Sequence, residues 1–152
     1  MEENINLFLI DTNILVYAYD LKEANSKKRK IALELIKKTW NDEQNYAISA
    51  QNLAEFMFVL ISKVKDLEII KQGELVVQDV INSNNWRVLY YDENTVLKAI
   101  NLYNETKSHF WDALIVATML ESRIFNIFTE NSSDFKKFKN INVINPFEDE
   151  KI

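Results

Sequence analysis

The chain of 152 residues is 47% hydrophobic and 27% charged, enough for one globular domain (residues 1–152) with a substantial core. It has no cysteine, which excludes disulfides and thiolate metal sites and fits a reducing, cytoplasmic setting. Its one histidine, His109, leaves little room for an imidazole-rich zinc site, and the net charge of −5 argues against a protein that coats nucleic acid nonspecifically.

The acidic start, Met1-Glu2-Glu3-Asn4, precedes only a short apolar run and does not read as a signal peptide. No stretch approaches the ~20 apolar residues of a membrane span. With one Gly and one Pro, turns are expected to fall mainly to Asn, Asp and Ser. Residues 6–11 read as a short buried strand by their continuous apolar run, with a helical turn or two following through Val16-Tyr17. Asn25 or Ser26 is placed to cap a helix running to about Trp40. Tyr46-Ala47-Ile48 reads as a brief strand and Ser49 as a helix N-cap. Leu53, Phe56, Met57, Leu60, Ile61 and Val64 then recur at helical spacing. A further helix is expected over residues 67–81, a strand over 87–91, and a helix over 93–106 capped by Asp92. Residues 110–122 form a helix apolar on nearly every face, and therefore central. Strands follow at 126–128 and 142–144, the last closed by Pro146. Short apolar strands alternating with helices imply an α/β domain of three layers around a short central parallel sheet. Sites in such folds lie beyond the carboxyl ends of the strands, near the switch point.

Two aspartates stand out in this pattern. Asp11 ends the first apolar run, and Asp112 is the lone charge in Phe110-Trp111-Asp112-Ala113-Leu114-Ile115-Val116-Ala117. Burying an isolated carboxylate costs several kcal/mol unless a partner or ion compensates it. Carboxylates without cysteine or surplus histidine point to a hard divalent cation, Mg2+ or Mn2+.

Asp11-Thr12-Asn13 after the first strand, Glu55 in a mid-chain helix, Trp111-Asp112-Ala113-Leu114-Ile115 opening a late helix, and Thr129-Glu130-Asn131 after a late strand resemble, in that order, the PIN-domain ribonucleases, and most of all the VapC-type toxins of toxin–antitoxin pairs. The likeness runs from Leu7 to Pro146. It implies a PIN-like fold and a Mg2+- or Mn2+-dependent endoribonuclease, with Asp11, Asp112 and Glu55 as acidic ligands. Thr129 and Asn13 would be polar supports. It also implies a homodimer, an RNA substrate and a cognate antitoxin. Where many members carry a fourth acid this chain has Asn131, and Asp134, three residues on, is the candidate to substitute for it.

Each residue also has a plainer role. Asp11 could cap a turn, Asp112 could be a helix N-terminal acid, and Asn131 and Asp134 could belong to an ordinary turn. Glu55 points away from the stripe of Leu53, Met57, Leu60 and Val64, which is the pattern of a solvent-facing glutamate. His109 reads as a residue preceding a helix rather than a general base. The basic runs Lys27-Lys28-Arg29-Lys30 and Lys136, Lys137, Lys139 read as solvated faces before phosphate contacts. Rival readings are an RNA-processing nuclease of the same fold without an antitoxin and, because of Asn131, a degenerate domain that binds RNA or protein without cutting. An aspartyl-phosphate domain using Asp11 fits less well. Asn13 stands where haloacid-dehalogenase-like phosphatases have a second Asp.

Overall fold

The computed structural model describes residues 7–148. The expectations for Met1-Glu2-Glu3-Asn4 and Asn6 lie outside the described residues. The elements in order are β1 (Phe8–Ile10), α1 (Thr12–Tyr19), α2 (Ser26–Trp40), β2 (Tyr46–Ser49), α3 (Ala50–Val59), α4 (Leu67–Asn82), β3 (Trp86–Leu89), α5 (Glu93–Thr106), α6 (Phe110–Glu121), β4 (Asn126–Phe128), α7 (Ser132–Phe135) and β5 (Asn142–Ile144). The strands form one parallel sheet in the order β3-β2-β1-β4-β5. The chain winds outward from β1 to β3 on one side, then returns to place β4 on the other side of β1. The strand order therefore reverses between β1 and β4, where a ligand crevice opens in such sheets.

Alternation along the strands divides the core into two layers, as expected for side chains that point to opposite faces. Leu9, Ala47, Leu89 and Ile127 face one cluster with the buried residues of α5 and α6. Ile10, Ile48, Trp86 and Phe128 face the other, against α1, α2, α3 and α4. Helix α6 is buried from Ala113 through Met119, which accounts for its apolar sequence on every side.

The sequence and structure differ at several points, each with a local cause. The helix that begins at Ala50 does not continue as one α-helix to Val64. It passes into a wider π turn over Leu60–Val64, closed by Lys65 N–H donating to Leu60 O at 2.9 Å. Gly73 of α4 lies under this turn, and a Cβ there would collide with the Leu60 side chain, so the lone glycine serves a close approach between helices. Strand β3 ends at Leu89, leaving Tyr90 and Tyr91 exposed beyond it. The Asn-Ser-Ser-Asp segment, which reads as a turn, forms the short helix α7.

Among the described residues, the left-handed positions are Asp42, Lys65, Lys107 and Arg123, with φ between 53° and 59°. Three of the four are basic, not Asn, Asp or Ser. All lie at helix C-termini, where a left-handed residue stops the helix, and the three basic ones also suit the negative end of the helix dipole. Among the described residues, no helix is long and apolar enough to cross a membrane.

Candidate active site

Asp11 follows β1 and caps α1, its side chain accepting from Thr12 N–H at 2.8 Å. It is 5% exposed, and four donors converge on it. Its Oδ1 accepts from Thr12 N–H and from Asn52 Nδ2 at 3.2 Å. Its Oδ2 accepts from the Thr129 hydroxyl at 2.7 Å and from Asn13 Nδ2 at 3.2 Å. No cation is among these partners. Burial pushes the Asp11 carboxyl up to about 6; the Thr129 and Thr12 bonds pull it back, and the charges of Asp112 and Glu55 add to the rise.

The supports are themselves held. Thr129 follows β4, and its oxygen also accepts from Asn131 N–H at 3.0 Å and lies 3.3 Å from Asn13 Nδ2. Asn13 Oδ1 accepts from Glu130 N–H at 3.2 Å, which ties α1 to the loop after β4.

Asn52 is the site residue that sequence reasoning missed. It is fully buried, and all four hydrogen-bonding positions of its amide are used. Its Oδ1 accepts from Ser49 N–H at 3.2 Å and from the Ser49 hydroxyl at 2.7 Å, while Nδ2 donates to Asp11 and, at 3.1 Å, to Thr12 Oγ1. The signal was present in Ser49-Ala50-Gln51-Asn52, the spacing of a capping box with Asn at the third helical position. Glu55 lies one turn further along.

Glu55 does not behave as a solvent-facing residue. It is half-buried, because α3 packs on the sheet with one side and borders the cleft with another. Thr12 Oγ1 lies 3.2 Å from Glu55 Oε2 and 3.3 Å from Asn52 O, so its single proton serves one at a time. Gln51 Nε2 donates to Glu55 Oε1 at 2.9 Å and to the Trp111 carbonyl at 3.1 Å, linking α3 to the start of α6. Gln51 Oε1 is buried without a partner.

Asp112 stands in the first turn of α6. Its carboxyl is raised by burial and by the charges of Asp134 and Glu55, and lowered by His109 and Lys137. Asp134 is thus a neighbour of Asp112 from α7, and it lies 4.0 Å from the Lys137 ammonium. Asn131 precedes α7, and its exposed side chain makes no capping bond. His109 holds the N-cap position of α6 without a side-chain bond. The basic runs are partly spent inside the molecule. Lys28 pairs with Glu130 at 2.8 Å, and Arg29 donates to the Asp20 carbonyl at 2.9 Å.

Asp11, Asn13, Glu55, Asp112 and Asn131 line one cleft of about 450 Å³, while Thr129 lies buried beneath it and Asp134 stands outside the lining. Among the described residues, no three Asp, Glu or His side chains already stand together as a ready cage for one ion. The donor set nevertheless fits a hard divalent cation: all oxygen, unbalanced by any bonded cation at Asp11, with two acids raised chiefly by burial and further by the charges of neighbouring acids, Glu55 among them.

Residues 8–141 match the PIN domain family. In fold, the chain resembles a toxin–antitoxin complex component from Klebsiella pneumoniae (TM-score 0.65, 20% identity, 91% of this chain and 97% of that one). It also resembles VapC20 of Mycobacterium tuberculosis, described as a sarcin–ricin-loop-cleaving toxin (0.63, 17%, 88% and 96%). A chain of VapBC2 from Rickettsia felis, bound to a DNA fragment of its promoter, is similar too (0.63, 18%, 91% and 98%). No curated protein matches in sequence at a significant level. The family match covers most of the chain and includes both strand ends that carry Asp11 and Thr129: the chain belongs to the PIN-domain family.

Proposed function

We propose that this chain is a single PIN-like domain acting as a Mg2+- or Mn2+-dependent endoribonuclease, the toxin of a toxin–antitoxin pair. One observation carries the reading. A buried carboxylate, Asp11, sits at the switch point of the sheet with its charge uncompensated, and Glu55 and Asp112 share its cleft. Those three would hold the ion, with Asp134 as a further acid beside Asp112.

A divalent ion bound there supplies electrostatic stabilisation of the phosphoryl oxygens and a water acidic enough to act near neutral pH. The chain's own residues do the positioning. Asn52, Thr129 and Thr12 fix the Asp11 carboxylate from three sides, and Gln51 fixes Glu55. About four acceptor positions are available on a carboxylate, and all are engaged on Asp11. Asp11 would therefore offer an ion a carboxylate already held in place by four donors, the two longer contacts, from Asn13 and Asn52, being the weaker ones. Hydrolysis by water needs no attack by the 2′-hydroxyl and no catalytic histidine, so products with 5′-phosphate and 3′-hydroxyl ends are expected.

Structural relatives described as toxin–antitoxin complexes support a cognate antitoxin that covers the acidic cleft. A homodimer is proposed from the resemblance to the VapC-type toxins. Absence of cysteine supports a cytoplasmic setting.

Asn131 favours one second reading, a domain of this fold that binds without cutting. Calorimetric titration with Mn2+ separates the two. A catalytic site binds Mn2+ and loses it in the Asp11→Asn, Asp112→Asn double variant; a degenerate site shows no binding in either protein.

A further inference from the structure

The acidic cleft has a basic end. Lys22, from the connection between α1 and α2, and Lys63, from the π turn after α3, line the same cleft as Asp11, Glu55 and Asp112. They also line the depression that continues it, together with Asp20, Val64 and Asp66. Both side chains are exposed, and among the described residues neither ammonium has a carboxylate or hydrogen-bond partner.

Their freedom has a structural cause. The two aspartates of that depression are used by backbone and amide donors. Asp20 accepts from Lys22 N–H at 2.9 Å and from Asn25 Nδ2 at 2.8 Å. Asp66 caps α4, accepting from Glu68 N–H at 2.9 Å and Ile69 N–H at 3.2 Å.

The π turn sets the direction of Lys63. Eight residues along a regular α-helix overshoot two turns by about 80°, which would carry Lys63 off the line of Glu55. The wider turn over Leu60–Val64 takes up part of that rotation, and Glu55, Val59 and Lys63 line one cleft. Single π turns inside helices recur at functional sites.

A chain of net charge −5 repels a polyanion unless its binding groove carries local positive charge. We propose that Lys22 and Lys63 clamp a backbone phosphate of the RNA strand adjacent to the phosphate that lies over Asp11, Glu55 and Asp112. The inference rests on the nuclease reading and adds the path of the substrate: along the cleft from the acids toward the start of α4.

The test uses the full chain and a labelled RNA that the parent protein cuts. Steady-state cleavage is compared for the parent, a Lys22→Gln, Lys63→Gln variant, and a Lys98→Gln control, whose lysine pairs with Glu121 at 3.3 Å. In parallel, binding is read by fluorescence anisotropy in EDTA on the Asp11→Asn, Asp112→Asn background. The clamp predicts a rise in KM of about tenfold, kcat within about twofold, and a salt dependence shallower by about 0.7 in log–log slope for one phosphate contact on single-stranded RNA. The same loss appears in anisotropy, and the Lys98→Gln control matches the parent. A parent that cuts RNA while the double-lysine variant keeps its KM and salt slope overturns the clamp alone. A parent that neither binds nor cuts any RNA overturns the nuclease reading and the clamp together.

Discussion

The Thr129 hydroxyl donates to Asp11 Oδ2 at 2.7 Å, joining the carboxyl ends of β4 and β1 across the point where the strand order reverses. The two residues are 118 positions apart in sequence. This bond holds the most buried acid of the cleft in place and lowers its pKa against the effect of burial. Replacing Thr129 by Val removes the donor at nearly constant volume. The expected result is an Asp11 pKa raised further and weaker Mn2+ binding at neutral pH, with Thr129→Ser retaining most of the affinity. Equal Mn2+ affinity in the Val and Ser variants would show that the hydroxyl does not tune the site.

Asp11 also gives metal-free stability a definite pH dependence. Its folded pKa, about 6, lies above the ordinary 3.8, so the folded protein binds more protons than the unfolded chain between those values. Asp11's contribution is fully present below pH 3.8 and is lost as pH rises through 6. The difference in stability between wild type and Asp11→Asn should therefore move against the wild type by up to about 3 kcal/mol across that window. Urea denaturation in EDTA at a series of pH values measures it. A difference that stays flat from pH 4 to 7 contradicts the burial of an uncompensated carboxylate.

Asn52 should matter as much as an acid that touches the metal. Asn52→Ala leaves Ser49 and Asp11 short of buried partners, at a cost of about 1–3 kcal/mol for the unsatisfied groups. Cleavage should fall as the Asp11 carboxylate loses one of its supports. Urea denaturation and cleavage rate read the two effects separately. A variant as stable and as active as wild type would remove Asn52 from the site.

Much of this was legible in the sequence. The strand after which Asp11 stands and the apolar helix carrying Asp112 announce themselves by continuous apolar runs, because a central strand and a central helix are buried on nearly every side; the strand before Thr129 is shorter and opens on Asn126. Asn52 was hidden because a polar residue next to a helix start looks like any cap. Ser49 is a local partner, but Asp11 and Thr12 lie 41 and 40 residues away, which no local pattern reveals. Glu55 misled for a related reason: helical periodicity identifies the face toward the core but cannot distinguish a cleft wall from open solvent. The π turn left no mark at all, since Leu60, Ile61 and Val64 keep the helical apolar spacing through it.

Gly73 offers a check on that turn. Its missing Cβ is the space occupied by Leu60, so Gly73→Ala overpacks the contact between α4 and the π segment. Despite the better helix propensity of Ala, a loss of about 1–3 kcal/mol is expected, typical of an added methyl in a filled core. Stability equal to or above wild type in urea denaturation would mean that the close approach is relieved cheaply.

In the proposed function, Asp11, Glu55 and Asp112 together form a metal-dependent site that cuts RNA. Incubation of purified protein with total cellular RNA and labelled transfer RNAs, in Mn2+, Mg2+ or EDTA, tests it beside the folded Asp11→Asn, Asp112→Asn variant. The expected result is cutting with either ion, none in EDTA or by the variant, and 5′-phosphate and 3′-hydroxyl ends. Cutting by the folded variant at the wild-type rate, or undiminished cutting in EDTA, would contradict it.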